Sequence, residues 1–191
     1  MKFKKSISLG MTILALAQIT APAATVLANE NVDSVQSELV TQTTVMSNEA
    51  KDALVRDVMT NHPTVSESFI REAIELQLRG DYSIPGADLS TTAFRSAWQG
   101  ITVDQMGALI DTAIGTALGA GVGGLAAAIK SSGKEAAKSA LKTALVKYGL
   151  IGTVISQPLL DFALNLISPG HHIATYWDQH DAVPNNGRIN F

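Results

Sequence analysis

The first apolar run, Ile7 to Ile19, carries no charge and follows three lysines within Met1–Lys5. Small residues come next in APAATVLANE, giving small-x-small cut points after Ala23 and after Ala28. This is the pattern of a secretory signal peptide, and the abrupt polar turn at Asn29, Glu30 and Asn31 favours cleavage after Ala28. An uncleaved membrane anchor is the alternative, although the run is shorter than the roughly 20 apolar residues that span a bilayer. Residues 29–46 are rich in Ser, Thr, Gln and Asn, lack aromatics, and read as a linker.

Helical periodicity starts after that linker. Ser47 or Asn48 caps a helix expected from about Glu49 to Asn61, with Ala53, Leu54, Val58 and Met59 at helical spacing and Pro63 stopping it. Thr64-Val65-Ser66-Glu67 has the capping-box form with Thr64 as the cap, and Phe69, Ile70, Ala73, Ile74 and Leu78 mark an apolar stripe ending at Gly80. The two make a helical hairpin. From Asp81 to Gln99 the composition becomes loop-like, with Pro85-Gly86 as a turn signal, so this stretch is either a processing boundary or a plain connection.

Thr102-Val103-Asp104-Gln105 is a second capping box, with Asp104 placing negative charge where a helix N-terminus favours it. A long apolar segment follows, and its eighteen residues Thr112–Ile129 contain no charged group. Gly115, Gly119 and Gly123 recur every four residues, a spacing that brings two helices close on one face; a helix broken near Gly119–Gly124 is the other reading. Lys130, Lys134, Lys138 and Lys142 continue at intervals of four, with Lys147 beyond, while Ala136, Ala137, Ala140, Leu141, Ala144 and Tyr148 fill the neighbouring arc. Such a segment suits a membrane interface or the solvated face of a soluble bundle. Tyr148 to Ser168 is a second apolar stretch with one charge, Asp161, and Pro158 kinks or splits it. Two apolar segments around a lysine-bearing one leave membrane contact or self-association as outlets for the excess apolar surface. Pro169-Gly170 ends the helices, leaving a polar tail.

Charge changes this picture more than composition does. The net charge of −3 conceals eleven acidic against five basic residues between Glu30 and Ser96, and an even balance thereafter. Five of the later basic residues lie between Lys130 and Lys147, where Glu135 is the one acid. The basic patch is too small, in too acidic a chain, for nucleic-acid binding. The chain has no cysteine, which excludes disulfides, thiolate metal sites and cysteine nucleophiles.

Candidate chemistry is sparse. His171, His172 and His180, with Asp178 and Asp181, are proper ligand types, but the spacing matches no established metal motif, so no resident metal or other cofactor is expected and these histidines are candidates only. Tyr176 and Trp177 are suited to the headgroup level of a membrane or, equally, to covering the end of a helical core. No nucleophile elbow, phosphate loop or dinucleotide fingerprint is present, and no enzymatic activity is expected.

The order of parts, Met1–Ala28, then acidic Glu30–Ser96, then the glycine- and alanine-rich Gly100–Ser168 with "GVGGLAAAIKSSGKEAAKSALKTALVKYGLIG", resembles the precursors of secreted Gram-positive bacteriocins, in particular the exported, protease-matured EntV-like enterocin type. The resemblance implies an antimicrobial polypeptide released by an extracellular protease and acting on an anionic bacterial membrane or cell surface. The expected architecture is all-α. It comprises a signal peptide (1–28), an acidic pro-segment of linker plus two amphipathic helices (29–96), an apolar and cationic helical bundle or hairpin (97–170) and an irregular tail (171–191). Lys130, Lys134, Lys138, Lys142, Lys147, Tyr148 and Trp177 are the expected membrane contacts, and Gly115, Gly119 and Gly123 the helix-packing positions. An exported helical structural or cell-surface interaction protein is the competing expectation.

Overall fold

Ser47 opens the first helix, α1 (Asn48–Asn61), by accepting a hydrogen bond from the Ala50 amide, and Pro63 stands just past its end. The structure, a computed structural model, describes residues 46–86, 100–150 and 156–190. The expected signal peptide, the linker up to residue 45 and the expected boundary between residues 96 and 97 lie outside these. α2 (Glu67–Leu78) follows, but its cap is Ser66, whose hydroxyl accepts from the Phe69 amide. Thr64, expected in that role, instead gives its hydroxyl proton to Asp104. A side chain two residues upstream of the cap lies too early to meet the orphan amides of the first turn.

A two-residue strand, β1 (Ile101–Thr102), pairs antiparallel with β2 (Arg188–Ile189), Ile101 opposite Ile189. The expected capping box then starts α3 (Val103–Ala117): the Thr102 hydroxyl accepts from the Gln105 amide, and the Gln105 side chain accepts from the Thr102 amide. Every residue from Met106 to Thr116 is buried, the signature of a helix enclosed on all sides. α1 and α2 pack on α3, as do three later helices described below.

The long apolar segment does not continue as one helix. At Gly119 the backbone turns left-handed (φ 63°), and the amides of Gly119 and Ala120 bond back to the carbonyls of Thr116 and Gly115, closing α3 in a Schellman turn. α4 (Gly124–Ser132) begins after it, with its first turn capped across the fold by Asp57 of α1, whose carboxylate accepts from the Leu125 amide at 2.7 Å. Gly133 separates α4 from α5 (Lys134–Lys147). α6 (Gln157–Ala163) carries Pro158 in its first turn behind the Ser156 cap, so the proline initiates a helix rather than kinking one.

The C-terminal part departs most from expectation. Pro169 and Gly170 do not end the helices; they open α7 (Pro169–Asp178), capped by the Ser168 hydroxyl on the His171 amide. Proline at the first helical position lacks only an amide that would have had no partner there, and its fixed φ suits the helix. The described residues are therefore mostly helical, with α1, α2, α4, α5 and α7 packed on α3, α6 on α5 and α7, and one short β pair. A buried polar cross-link ties α2, α3 and the end of α5 together: the Gln77 amide nitrogen lies within 2.7–3.0 Å of Tyr148 Oη, Thr112 Oγ1 and the Leu109 carbonyl. Among the described residues no helix is long and apolar enough to cross a membrane.

Candidate functional site

The expected cationic strip is divided between helices. Lys130 lies on α4, while Lys134, Lys138, Lys142 and Lys147 lie on α5; all but the half-buried Lys138 are exposed. Lys138 bonds Asp161 of α6 at 2.6 Å, and Lys134 stands 3.8 Å from the same oxygen. The ion pairs of the acidic hairpin close within it, Lys51 on Glu75 and Arg71 on Asp52 and Glu67. Among the described residues, none joins the acids of α1 or α2 to the five lysines. Tyr148 is buried with its hydroxyl on Gln77, and that burial raises its pKa; Trp177 is half-buried against the core. The three glycines do not share a face. Gly115 lies against Leu54 of α1, Gly119 makes the turn after α3, and Gly123 is an exposed residue before α4.

The densest polar grouping lies elsewhere, where the end of α1 meets the crossing of α3 and α7. Gly107 and Gly170 let those two backbones touch. A Cβ on Gly107 would stand 2.6 Å from His62 Cε1 and 3.0 Å from the His171 backbone, and one on Gly170 would strike the Gly107 carbonyl. His62, the residue just past α1, is wholly enclosed. Its Nδ1 lies 2.8 Å from Asp104 Oδ1 and its Nε2 3.0 Å from Asp111 Oδ2. Asp104 Oδ2 also accepts the amide and hydroxyl of Thr64. Asp111 is fully buried; it accepts the Ser168 hydroxyl at 2.6 Å and, through Oδ1, the Gly170 amide at 2.7 Å, so it caps α7 from below.

This geometry fixes the proton count. A neutral imidazole has one N–H, yet both ring nitrogens of His62 face carboxylate oxygens, which only accept; the imidazolium alone satisfies both contacts. Burial opposes that charge, but Asp111 first and Asp104 second outweigh it and raise the His62 pKa above the usual imidazole value. For Asp104, burial opposes ionisation, and the bonds from Thr64 and His62 prevail and lower its pKa. Ser168 Oγ stands 3.2 Å from His62 Nε2, which with Asp104 behind the ring suggests a nucleophile, base and orienting acid. The Ser168 proton is committed to Asp111, however, and the hydroxyl is buried as a helix cap.

His171, alone among the expected tail ligands, reaches this cluster. A ligand atom from each of His62, Asp104 and His171 lies within 4.8 Å of the others; His171 Nδ1 is 3.9 Å from Asp104 Oδ1 and has no hydrogen-bond partner although the atom is buried. His172 is exposed, and His180 bonds the Tyr176 carbonyl and stacks on that ring. Asp178 and Asp181 gather backbone amides of the closing loop, Asn186 to Arg188 and Val183 with Asn190. Sequence reasoning missed His62, Asp111, Thr64 and Ser168 as a unit and took Asp104 for a dipole charge alone. One signal was available: a lone aspartate, Asp111, inside an otherwise apolar helix, which needs a buried partner. No family model matches the chain, and neither the curated proteins nor the solved structures contain a match to it.

Proposed function

We propose that the chain is an exported antibacterial precursor in which α1 and α2 cover the apolar helix α3 until a protease cuts the connection between α2 and β1. The burial of α3 from Met106 to Thr116 carries this reading, because part of its cover comes from the acidic hairpin that precedes the cut. Leu54 of α1 lies against Gly115, and Gln77 of α2 lies on the Leu109 carbonyl. Removal of the hairpin would bare one side of α3 next to a domain already bearing exposed Lys130, Lys142 and Lys147 and the exposed apolar Val146 and Phe162. Lysines near an anionic surface contribute about 1 kcal/mol each, and burial of the uncovered apolar area in the interface adds to that. No step needs a membrane-spanning helix; the uncovered unit lies on the bilayer.

The cover is apolar rather than electrostatic: Lys134 and Lys138 pair with Asp161 and Glu135, and among the described residues no lysine of α4 or α5 pairs with a hairpin acid. Dye release from vesicles rich in anionic lipid tests the reading. The intact chain is expected to be inactive, and a fragment beginning between residues 87 and 100 to release dye. Equal activity of both, or inactivity of both, removes the proposal. Inactivity of both favours the second reading, an exported non-enzymatic helical interaction protein, which the shared core of the two chain halves also supports.

A further inference from the structure

We infer that His62, Asp104 and His171 form a zinc site, with His62 Nδ1, Asp104 Oδ1 and His171 Nδ1 as ligands and an open fourth position at the surface. Two imidazoles and one carboxylate are a donor set that suits Zn2+ and leaves a place for water. The three side chains come from different elements, the end of α1, the first turn of α3 and the first turn of α7, and their ligand atoms already lie within 4.8 Å of one another. His62 is wholly buried while Asp104 and His171 keep 20% and 44% of their side chains exposed, so an ion enters from the solvent side and the fourth position faces it.

Three features separate this cluster from a chance gathering of polar groups. His171 Nδ1 is buried, points toward Asp104 from 3.9 Å, and has no hydrogen-bond partner, which is costly for a ring nitrogen unless something else occupies it. His62 is backed by Asp111 on its other nitrogen at 3.0 Å, the carboxylate–histidine–metal arrangement that fixes the tautomer and raises the basicity of the ligating atom. Asp104 is held from behind by Thr64 through Oδ2, which leaves Oδ1 for the ion. The first shell thus comes with its supporting shell, and Gly107, lacking a Cβ, lets the His62 ring and the His171 backbone pack together beside α3.

For the two ligand pairs that involve Asp104 the adjustment needed is small. Ligands about 2.0–2.1 Å from a tetrahedral ion stand roughly 3.3 Å apart. His62 Nδ1 and Asp104 Oδ1, now 2.8 Å apart and sharing a proton, must part by about half an ångström, and His171 must close on Asp104 by a similar amount from 3.9 Å. Binding displaces the Nδ1 proton of His62 to solvent, while Nε2 keeps its proton and donates it to Asp111. The result is a clip joining the hairpin that begins with α1 to the α3–α7 crossing. It does not depend on the antibacterial reading, and its test contains no membrane.

The test is calorimetric titration of ZnCl2 into the full metal-free chain near neutral pH, with Co2+ as a spectroscopic reporter. One Zn2+ per chain with micromolar or tighter affinity is expected, together with visible absorption of four-coordinate Co2+ and a higher melting temperature in zinc. His171→Ala, at a partly exposed position, is expected to fold as the parent does in chelator and to lose binding at least about tenfold, with Asp111→Asn weakening it about 10- to 100-fold through the second shell. His180→Ala is expected to bind as the parent does. Should His171→Ala fail to fold, His171→Asn replaces it. Absence of binding by the parent, unchanged affinity in the folded His171 variant, or loss of binding on His172→Ala or His180→Ala instead would overturn the site.

Discussion

At the scale of single residues, the His62 cluster makes the metal-free fold sensitive to pH in a defined direction. His62 has a raised folded-state pKa, so its contribution is complete below the unfolded value of about 6.5 and disappears as pH rises through the folded one. Asp104 has a lowered pKa, so its contribution is present above about 3.9 and is lost as pH falls through its folded value. Melting temperature in chelator is therefore expected to peak between roughly pH 4 and 6.5 and to decline on the alkaline side, and His62→Gln to flatten that alkaline decline. A parent curve level from pH 5 to 9 would mean that His62 is buried uncharged. Asp111→Ala should cost more than a surface change: it strips an acceptor from His62, Ser168 and the Gly170 amide at once, about 3–5 kcal/mol by the measure of broken buried pairs, read by urea unfolding. Apart from the lone charge of Asp111 in an apolar helix, none of this was legible locally, because His62 lies 42 and 49 residues from its two carboxylates and its sequence setting, beside Pro63, says only that a helix ends.

At the scale of elements, the sequence was most readable where one turn of chain decides the outcome. The caps at Ser47 and Thr102 were legible because the side chain and the amide it satisfies lie three residues apart. Pro169 was misread because a proline ends one helix and begins another by the same missing amide, and the choice rests on Ser168 and on Asp111, which anchors the Gly170 amide from 59 residues away. The glycines spaced by four are a sharper case. Gly119 has open space where a Cβ would go but a φ of 63°, so Gly119→Ala is expected to cost about 1–2 kcal/mol of backbone strain and leave α1 in place. Gly115 has ordinary helical dihedrals but would put a Cβ 2.6 Å from Leu54 Cδ1, so Gly115→Ala is expected to cost about 1–3 kcal/mol by pushing α1 outward. Hydrogen exchange separates them: α1 amides should exchange faster in the Gly115 variant alone, and the same acceleration in both would refute the distinction.

At the scale of the whole molecule, the charge contrast between the chain halves raises the question of whether acids near the N-terminus neutralise the lysines of α4 and α5. Composition reports how many charges each half carries and nothing about which ones meet. In the fold they pair nearby, Arg71 with Glu67 and Asp52, Lys138 with Asp161, and the halves are joined instead through Leu54, Ile70 and Ile74 around α3, with Gln77 and His62 as buried polar links. These two kinds of attachment respond oppositely to salt. Exposed ion pairs are screened over about 10 Å at 0.1 M and about 3 Å at 1 M, whereas apolar burial is not weakened by NaCl. A chain nicked between residues 87 and 99 should therefore elute as one particle on size exclusion even in about 1 M NaCl. It should separate into hairpin and remainder only when urea or an anionic lipid surface competes for the apolar faces. Separation by salt alone would restore the electrostatic cover, and the hairpin would then be displaced by the same anionic membrane that attracts the lysines rather than by exposure of α3.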